Sequence, residues 1–224
     1  MRVMSMHKAT PDMEKGVPPP PEVMEGMGPL MGELMQSGIF VAGEGLRPSA
    51  EGVRLLFSSG SRTISKGPLP GANELVSAYA IVKTASIDEA IEFASRGAAD
   101  DAVIDVRPVT EPWDFGAPRP SHETKTRYMV IYKADARSES GVHPPELDDP
   151  LVIAAGRLQP SAKGRRIQFR NGTQTVTDGP FTESKELIAG FTIFDVPSID
   201  DAVPWAERFA KLIGDIEIEL RPMA

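Results

Sequence analysis

Leu46-Arg47-Pro48-Ser49-Ala50-Glu51-Gly52 returns later in the chain as Leu158-Gln159-Pro160-Ser161-Ala162-Lys163-Gly164. The likeness extends well beyond these seven residues. Residues 46–96 align with residues 158–208 without a gap, at a constant offset of 112, and 20 of the 51 positions are identical. The identities include Phe57/Phe169, Gly60/Gly172, Gly67/Gly179, Pro68/Pro180, Glu74/Glu186, Ser86/Ser198 and Asp88/Asp200. After an indel of two residues both copies close alike, on Ile104-Asp105-Val106-Arg107-Pro108 and Ile218-Glu219-Leu220-Arg221-Pro222. Chance does not supply such agreement, so the chain reads as a duplicated domain. Its 224 residues then divide into two units of about a hundred residues, each long enough for a core of its own.

Working outward, each copy opens on a short apolar strand, residues 3–6 and 128–132, that leads into Lys8-Ala9 or Lys133-Ala134. A Gly/Pro-rich loop follows, Gly16-Val17-Pro18-Pro19-Pro20 against Gly141-Val142-His143-Pro144-Pro145. In the first copy Val23, Met27, Leu30, Met31, Leu34 and Met35 fall on one stripe and predict a helix whose methionines fill core gaps. Pro29 is expected to bend or split it, and Gly38 to end it. A strand at 39–42 precedes a hairpin, clearest in the second copy, where Asn171-Gly172 joins 166–170 to 173–177 in the manner of a type I′ turn. Then come a strand (78–82 or 190–194), a helix opened by Ser86 or Ser198 with acids in its first turn, and a last strand (103–106 or 216–220). This order predicts an α+β sandwich with helices on one sheet face.

Residues 1–110 and 126–224 are the two expected domains, and the proline-rich stretch 111–125 is expected to be a stiff, mostly extended linker. Ahead of the aligned block the offset is 125, as in Lys8/Lys133 and Gly16/Gly141, so 13 residues are missing from the second copy. That is roughly three and a half helical turns. The second copy is therefore expected to lack most of its first helix, with a short stub at 145–155. The sheet it uncovers would be covered by the other copy or by a second chain, which makes a homo-oligomer possible.

A charged fraction of 25% and a hydrophobic fraction of 41% are those of an ordinary globular protein. A net charge of -8 without a dense Lys/Arg run argues against direct nucleic-acid binding, which needs clustered basic surface. The absence of cysteine excludes disulfides, zinc–thiolate sites and cysteine nucleophiles. No 18-residue apolar run and no N-terminal h-region occur, so no membrane association and a cytoplasmic location are expected. No GxGxxG or GxxxxGK[ST] pattern opens a helix and no two histidines have ligand spacing, so neither a cofactor nor a metal is expected.

Asp178-Gly179-Pro180-Phe181, followed by Glu183, Lys185, Glu186 and Leu187, with Tyr128-Met129-Val130-Ile131-Tyr132 upstream, resembles the DGPF branch of the YCII-related proteins. Ala42-Gly43-Glu44-Gly45-Leu46-Arg47-Pro48 resembles the stretch such proteins carry between helix and hairpin. The resemblance covers almost all of the chain outside the linker. It implies two ferredoxin-like domains of the dimeric α/β barrel type in tandem, forming an intramolecular pseudo-dimer. For function it implies little by itself; the splitting of the polar set between the copies points to a small-molecule-binding or regulatory barrel module without strong catalysis. The alternative is a lyase- or isomerase-like enzyme of the muconolactone-isomerase type that uses acid/base carboxylates. It also implies, through gene neighbourhoods of relatives, a link to sigma-factor regulation. The first copy departs from the pattern with Lys66, Leu69 and Asn73 where the second has Asp178, Phe181 and Lys185, so one asymmetric site is expected rather than two equal ones.

Asp178, before Gly-Pro at a strand end, reads either as a cap of that turn or as a general base. Glu44 ends a strand and needs a partner, for which Lys66 is the candidate; Arg157 is the corresponding partner for Asp178. His7 and Tyr132 hold equivalent positions at the ends of the first strands, and His7 is the one that can titrate near neutrality. Arg107 and Arg221, each before a proline in the last strand, either face an anion at the barrel mouth or form edge-strand salt bridges. Asp178, Glu44 and His7 are thus the candidate catalytic residues, and Lys66, Arg157, Tyr132, Arg107 and Arg221 the candidate ligand-binding residues.

Overall fold

The computed structural model describes residues 1–71, 74–96, 98, 100–134, 139, 149–181 and 184–224. In chain order the elements are β1 (Arg2–Lys8), α1 (Pro11–Glu14), α2 (Pro21–Gln36), β2 (Phe40–Gly45), β3 (Val53–Ser58), β4 (Ser61–Lys66), β5 (Val76–Thr84), α3 (Ile87–Ser95), β6 (Val103–Pro108), β7 (Thr126–Lys133), β8 (Val152–Arg157), β9 (Arg165–Arg170), β10 (Thr173–Asp178), β11 (Ile188–Asp195), α4 (Val203–Ile213) and β12 (Ile216–Pro222). The chain is α+β, with two antiparallel six-stranded sheets. It divides into two compact units that do not coincide with the two sequence copies. Unit 1 is Met1–Glu44 with Leu158–Ala224, and unit 2 is Gly45–Arg157.

In unit 1 the sheet order is β10-β9-β12-β1-β11-β2. Strands β1 and β2 come from the first copy and the other four from the second. The four strands β12-β1-β11-β2, with α2 and α4 on one face, are compatible with a ferredoxin-like arrangement, and the hairpin β9–β10 extends the sheet beyond β12. The expectation that each copy folds on its own strands is therefore corrected: β1 pairs with β11 and β12, from Val3↔Phe194 and Val3↔Pro222 onward. Alternation along β1 sends Val3, Ser5 and His7 to the helix side, and Met4, Met6 and Lys8 to the other. Val3, Phe194, Ala206, Ala210, Ile218 and Leu220 form the core between sheet and helices. Each large apolar side chain buried there contributes about 1.5–3 kcal/mol.

Unit 2 repeats the plan with the order β4-β3-β6-β7-β5-β8, where β7 and β8 come from the second copy. Its core sets Ala78, Ala80 and Val82 of β5, with Val130 and Tyr132 of β7, against Ala90, Phe93 and Ala94 of α3. Between β7 and β8 no helix occurs among the described residues. The expected loop at Gly141 to Pro145 and the first part of the expected stub lie outside them, as do Asn73 and Glu183. At the entry to β8, the Leu151 amide donates to Asp149 Oδ1 at 2.9 Å.

Several local expectations need adjustment. Helix α2 runs unbroken through Pro29 rather than splitting, and ends before Gly38, whose φ of +75° suits glycine. Helix α4 begins at Val203, after a 3₁₀ turn at Ile199–Asp201, later than Ser198 suggests. The reason is Pro204, which has no N–H to donate and is accommodated in a first helical turn. The linker is not simply extended: Pro112–Phe115 form a 3₁₀ turn, Arg47 grips Asp114 bidentately at 2.8 and 2.9 Å, and Arg127 grips Glu111 at 2.7 and 2.9 Å. Both hairpin turns have the left-handed pair that the type I′ reading requires, Ser59 and Gly60 at φ 51° and 71°, and Asn171 and Gly172 at 50° and 74°.

Candidate functional site

Unit 1 contains a cavity of about 50 Å³ between the sheet and its two helices. Its floor is Ser5 and His7 of β1 with Thr192 and Phe194 of β11, and its roof is Leu30, Met31 and Leu34 of α2 with Trp205, Ala206 and Phe209 of α4. Strand register makes this floor: Ser5 is the cross-strand partner of Thr192, and His7 that of Gly190. The missing side chain at Gly190 matters, because a Cβ there would lie 2.5 Å from His7 Cε1 and 2.5 Å from the Glu44 carbonyl oxygen. His7 stacks at a tilt on Phe209, with ring centroids 4.9 Å apart and an interplanar angle of 44°. Burial pushes its imidazole down to about pKa 4, so it is neutral at physiological pH. Among the described residues no charged side chain lines the cavity.

Of the candidate catalytic residues only His7 reaches this cavity. Glu44, half-buried at the end of β2, contributes its backbone to the approach beside Gly190, and its side chain is not part of the lining. Asp178 is 73% exposed and pairs with its cross-strand partner Arg165 at 3.1 Å, not with Arg157. It does not cap the Gly-Pro turn. That turn is held instead by Ser161, whose hydroxyl accepts the Phe181 amide at 3.0 Å, as the Ser49 hydroxyl accepts that of Leu69 at 3.0 Å. Gly179 is required there, since a Cβ would fall 1.8 Å from the Ser161 carbonyl oxygen; Gly67 meets Ser49 in the same way. Phe181 is buried, with the Arg166 guanidinium 4.3 Å from its ring centroid. The motif thus locks a strand end to the 3₁₀ turn Ser161–Lys163.

The candidate ligand-binding residues are placed elsewhere. Lys66 and Arg157 are exposed at strand ends, where they are partners of Val53 and Ala78. Tyr132 is buried in unit 2 beside Ala78, and its hydroxyl finds no hydrogen-bond partner among the described residues. Arg107 and Arg221 are fully buried and bind backbone rather than facing an open mouth. Arg107 donates to the Arg47 carbonyl, and Arg221 donates through Nε to the Gln159 carbonyl at 3.0 Å and through Nη1 to Glu219 at 3.0 Å.

On the sheet face away from the helices, Glu219 also meets Arg166 at 3.2 Å and Lys8 at 3.6 Å. Burial acts to raise the Glu219 pKa, but Lys8, Arg221 and Arg166 outweigh it and hold the carboxyl below its ordinary value. The aligned residues of unit 2 form the same kind of cluster. Arg54 holds Asp105 at 2.7 and 2.9 Å and Glu74 at 2.8 Å, and Lys133 pairs with both acids. Such buried, mutually neutralised groups hold strands in register, and removing one partner strands a charge in the interior.

With this geometry in place, comparison with known proteins assigns part of the chain. Residues 126–212 match the YCII-related domain. An uncharacterized protein of Rhizobium meliloti (strain 1021) is 33% identical over 69 residues, which are 30% of this chain and 56% of that protein. The chain therefore spans about half the length of the curated relative it matches. No solved structure matches the chain. The YCII-related region includes the Asp178-Gly179-Pro180-Phe181 turn and the β11 and α4 walls of the cavity. Ser5, His7 and the α2 roof lie outside it, so the cavity joins the YCII-related stretch to residues from the start of the chain.

Sequence reasoning found His7 but missed Ser5, Thr192, Gly190, Trp205 and Phe209. One signal was available: Ser5 and His7 stand two apart in an otherwise apolar strand and so share a face. Their pairing with Thr192 and Gly190 carried none, since strand partners are not written in the pattern. Among the described residues no group of three or more His, Asp or Glu side chains converges as a metal site, and no helix is long and apolar enough to cross a membrane.

Proposed function

We propose that the chain is a tandem repeat of YCII-related sequence of the DGPF branch, with the ferredoxin-like fold that the resemblance implies, and that it is a small-molecule-binding module without strong catalysis. One observation carries this reading: the His7 cavity is lined almost wholly by apolar side chains, with no carboxylate among the described residues that line it. Acid/base catalysis of the lyase or isomerase kind needs a second titratable group within hydrogen-bond reach of the reacting atoms. Asp178 and Glu44, which that alternative would employ, do not line the cavity, and a histidine near pKa 4 is a weak base at neutral pH.

Trp205 supplies the test. The chain has two tryptophans, so a Trp113→Phe background leaves Trp205 as a fluorescent reporter in the cavity wall. A metabolite screen by thermal shift in this background should give compounds that raise the melting temperature and change Trp205 emission together. The same compounds, incubated with the protein and followed by NMR, should remain unchanged. Stabilising compounds that leave Trp205 silent would place binding elsewhere, and turnover lost in His7→Phe would restore the enzyme reading.

A further inference from the structure

The floor of the His7 cavity carries a short polar strip. Ser5 and Thr192 face each other across the β1–β11 ladder and His7 follows on the same face, and the surrounding wall is apolar. All three side chains line the cavity. They offer two hydroxyls and a neutral imidazole, able to donate and accept, but no cation to balance an anion. A charged ligand would leave water for a wall of Leu, Met, Phe and Trp without compensation, whereas a carbonyl or hydroxyl group would find partners. Size narrows the class further: about 50 Å³ is roughly a third of a cavity that accepts benzene.

Resting on the reading of this cavity as a binding site, we infer that it selects small uncharged carbonyl or hydroxyl compounds, of roughly four heavy atoms, over the corresponding carboxylates, through the strip Ser5–Thr192–His7. Thr192 is the discriminating residue, because it lies opposite Ser5 and can be made apolar without change of shape.

Three isosteric probes test this on the full-length chain carrying Trp113→Phe: acetone, acetate and isobutene, titrated at pH 7 with Trp205 emission and amide chemical shifts of β1 and β11 as readouts. Acetone should bind saturably and acetate should leave both readouts unchanged at equal concentration. Thr192→Val should weaken acetone at least threefold while leaving isobutene unaffected. Acetate binding as well as acetone, or a Thr192→Val variant that keeps the acetone affinity, would overturn the ligand class while leaving the cavity a binding site. If none of the three probes perturbs Trp205 or the floor strands, the binding-site reading falls with it.

Discussion

His7 sits against Phe209 and beside Gly190, and its imidazole is held near pKa 4 by burial. Below the ordinary value of 6.5 the unfolded chain takes up a proton at this residue that the folded chain refuses until about pH 4. Stability therefore falls as pH drops through that window, by on the order of 3 kcal/mol in full, and is independent of His7 above it. Denaturation midpoints measured from pH 4 to 7 should show this loss in the wild type and a flatter profile in His7→Phe. Asp178 gives the opposite case. An exposed ion pair with Arg165 contributes about 1 kcal/mol or less, so Asp178→Asn and Asp178→Ala should both melt close to the wild type. Gly179→Ala, which drives a Cβ into the Ser161 backbone, should cost at least about 2 kcal/mol, and thermal melts of the three variants will rank them. The motif's fixed glycine is thus a matter of space at the turn, while its aspartate is the replaceable member.

Helix α2 forms the roof of the cavity from a sequence that is poor in helix formers, with Gly26, Gly28, Pro29 and Gly32 inside it. Its stability comes from attachment to neighbours: Leu30 and Leu34 are buried, Glu33 pairs with Arg208 of α4 at 2.7 Å, and Gly26 packs on Leu212. The three glycines differ in their surroundings. A Cβ at Gly26 would come 2.4 Å from Leu212 Cδ1, whereas Gly28 and Gly32 have open space. Gly28→Ala and Gly32→Ala should each stabilise by about 0.5–1 kcal/mol in urea denaturation, and Gly26→Ala should not. Helix existence was legible from the apolar spacing of Leu30, Met31 and Leu34. The continuity through Pro29 was not, because the missing N–H costs one ladder bond and packing decides whether that cost is met. For the same reason Pro204, rather than Ser198, sets where α4 begins.

At the scale of the molecule, each sheet takes strands from both sequence copies, with β1 and β2 joining β9 to β12, and β7 and β8 joining β3 to β6. A protease site placed in the exposed stretch 117–122 should therefore give halves that stay together, since each sheet draws on both sides of the cut. Size-exclusion chromatography after cleavage should show one species of unchanged size; two separately folded fragments would contradict the shared sheets. The sequence by itself determined the likeness of residues 46–96 to 158–208, the α+β class, the Asn171-Gly172 hairpin and the candidacy of His7. These are local or periodic properties, set by turn chemistry and by which face of an element is apolar. Only the tertiary structure decided which copy supplies each strand's partner, and hence that His7 meets Gly190, Thr192 and Phe209 while Asp178 turns to Arg165 and solvent. The physical reason lies in the repeat itself: two copies with the same strand pattern present equivalent edges, so alternation fixes the face a side chain takes but not whose strand lies beside it.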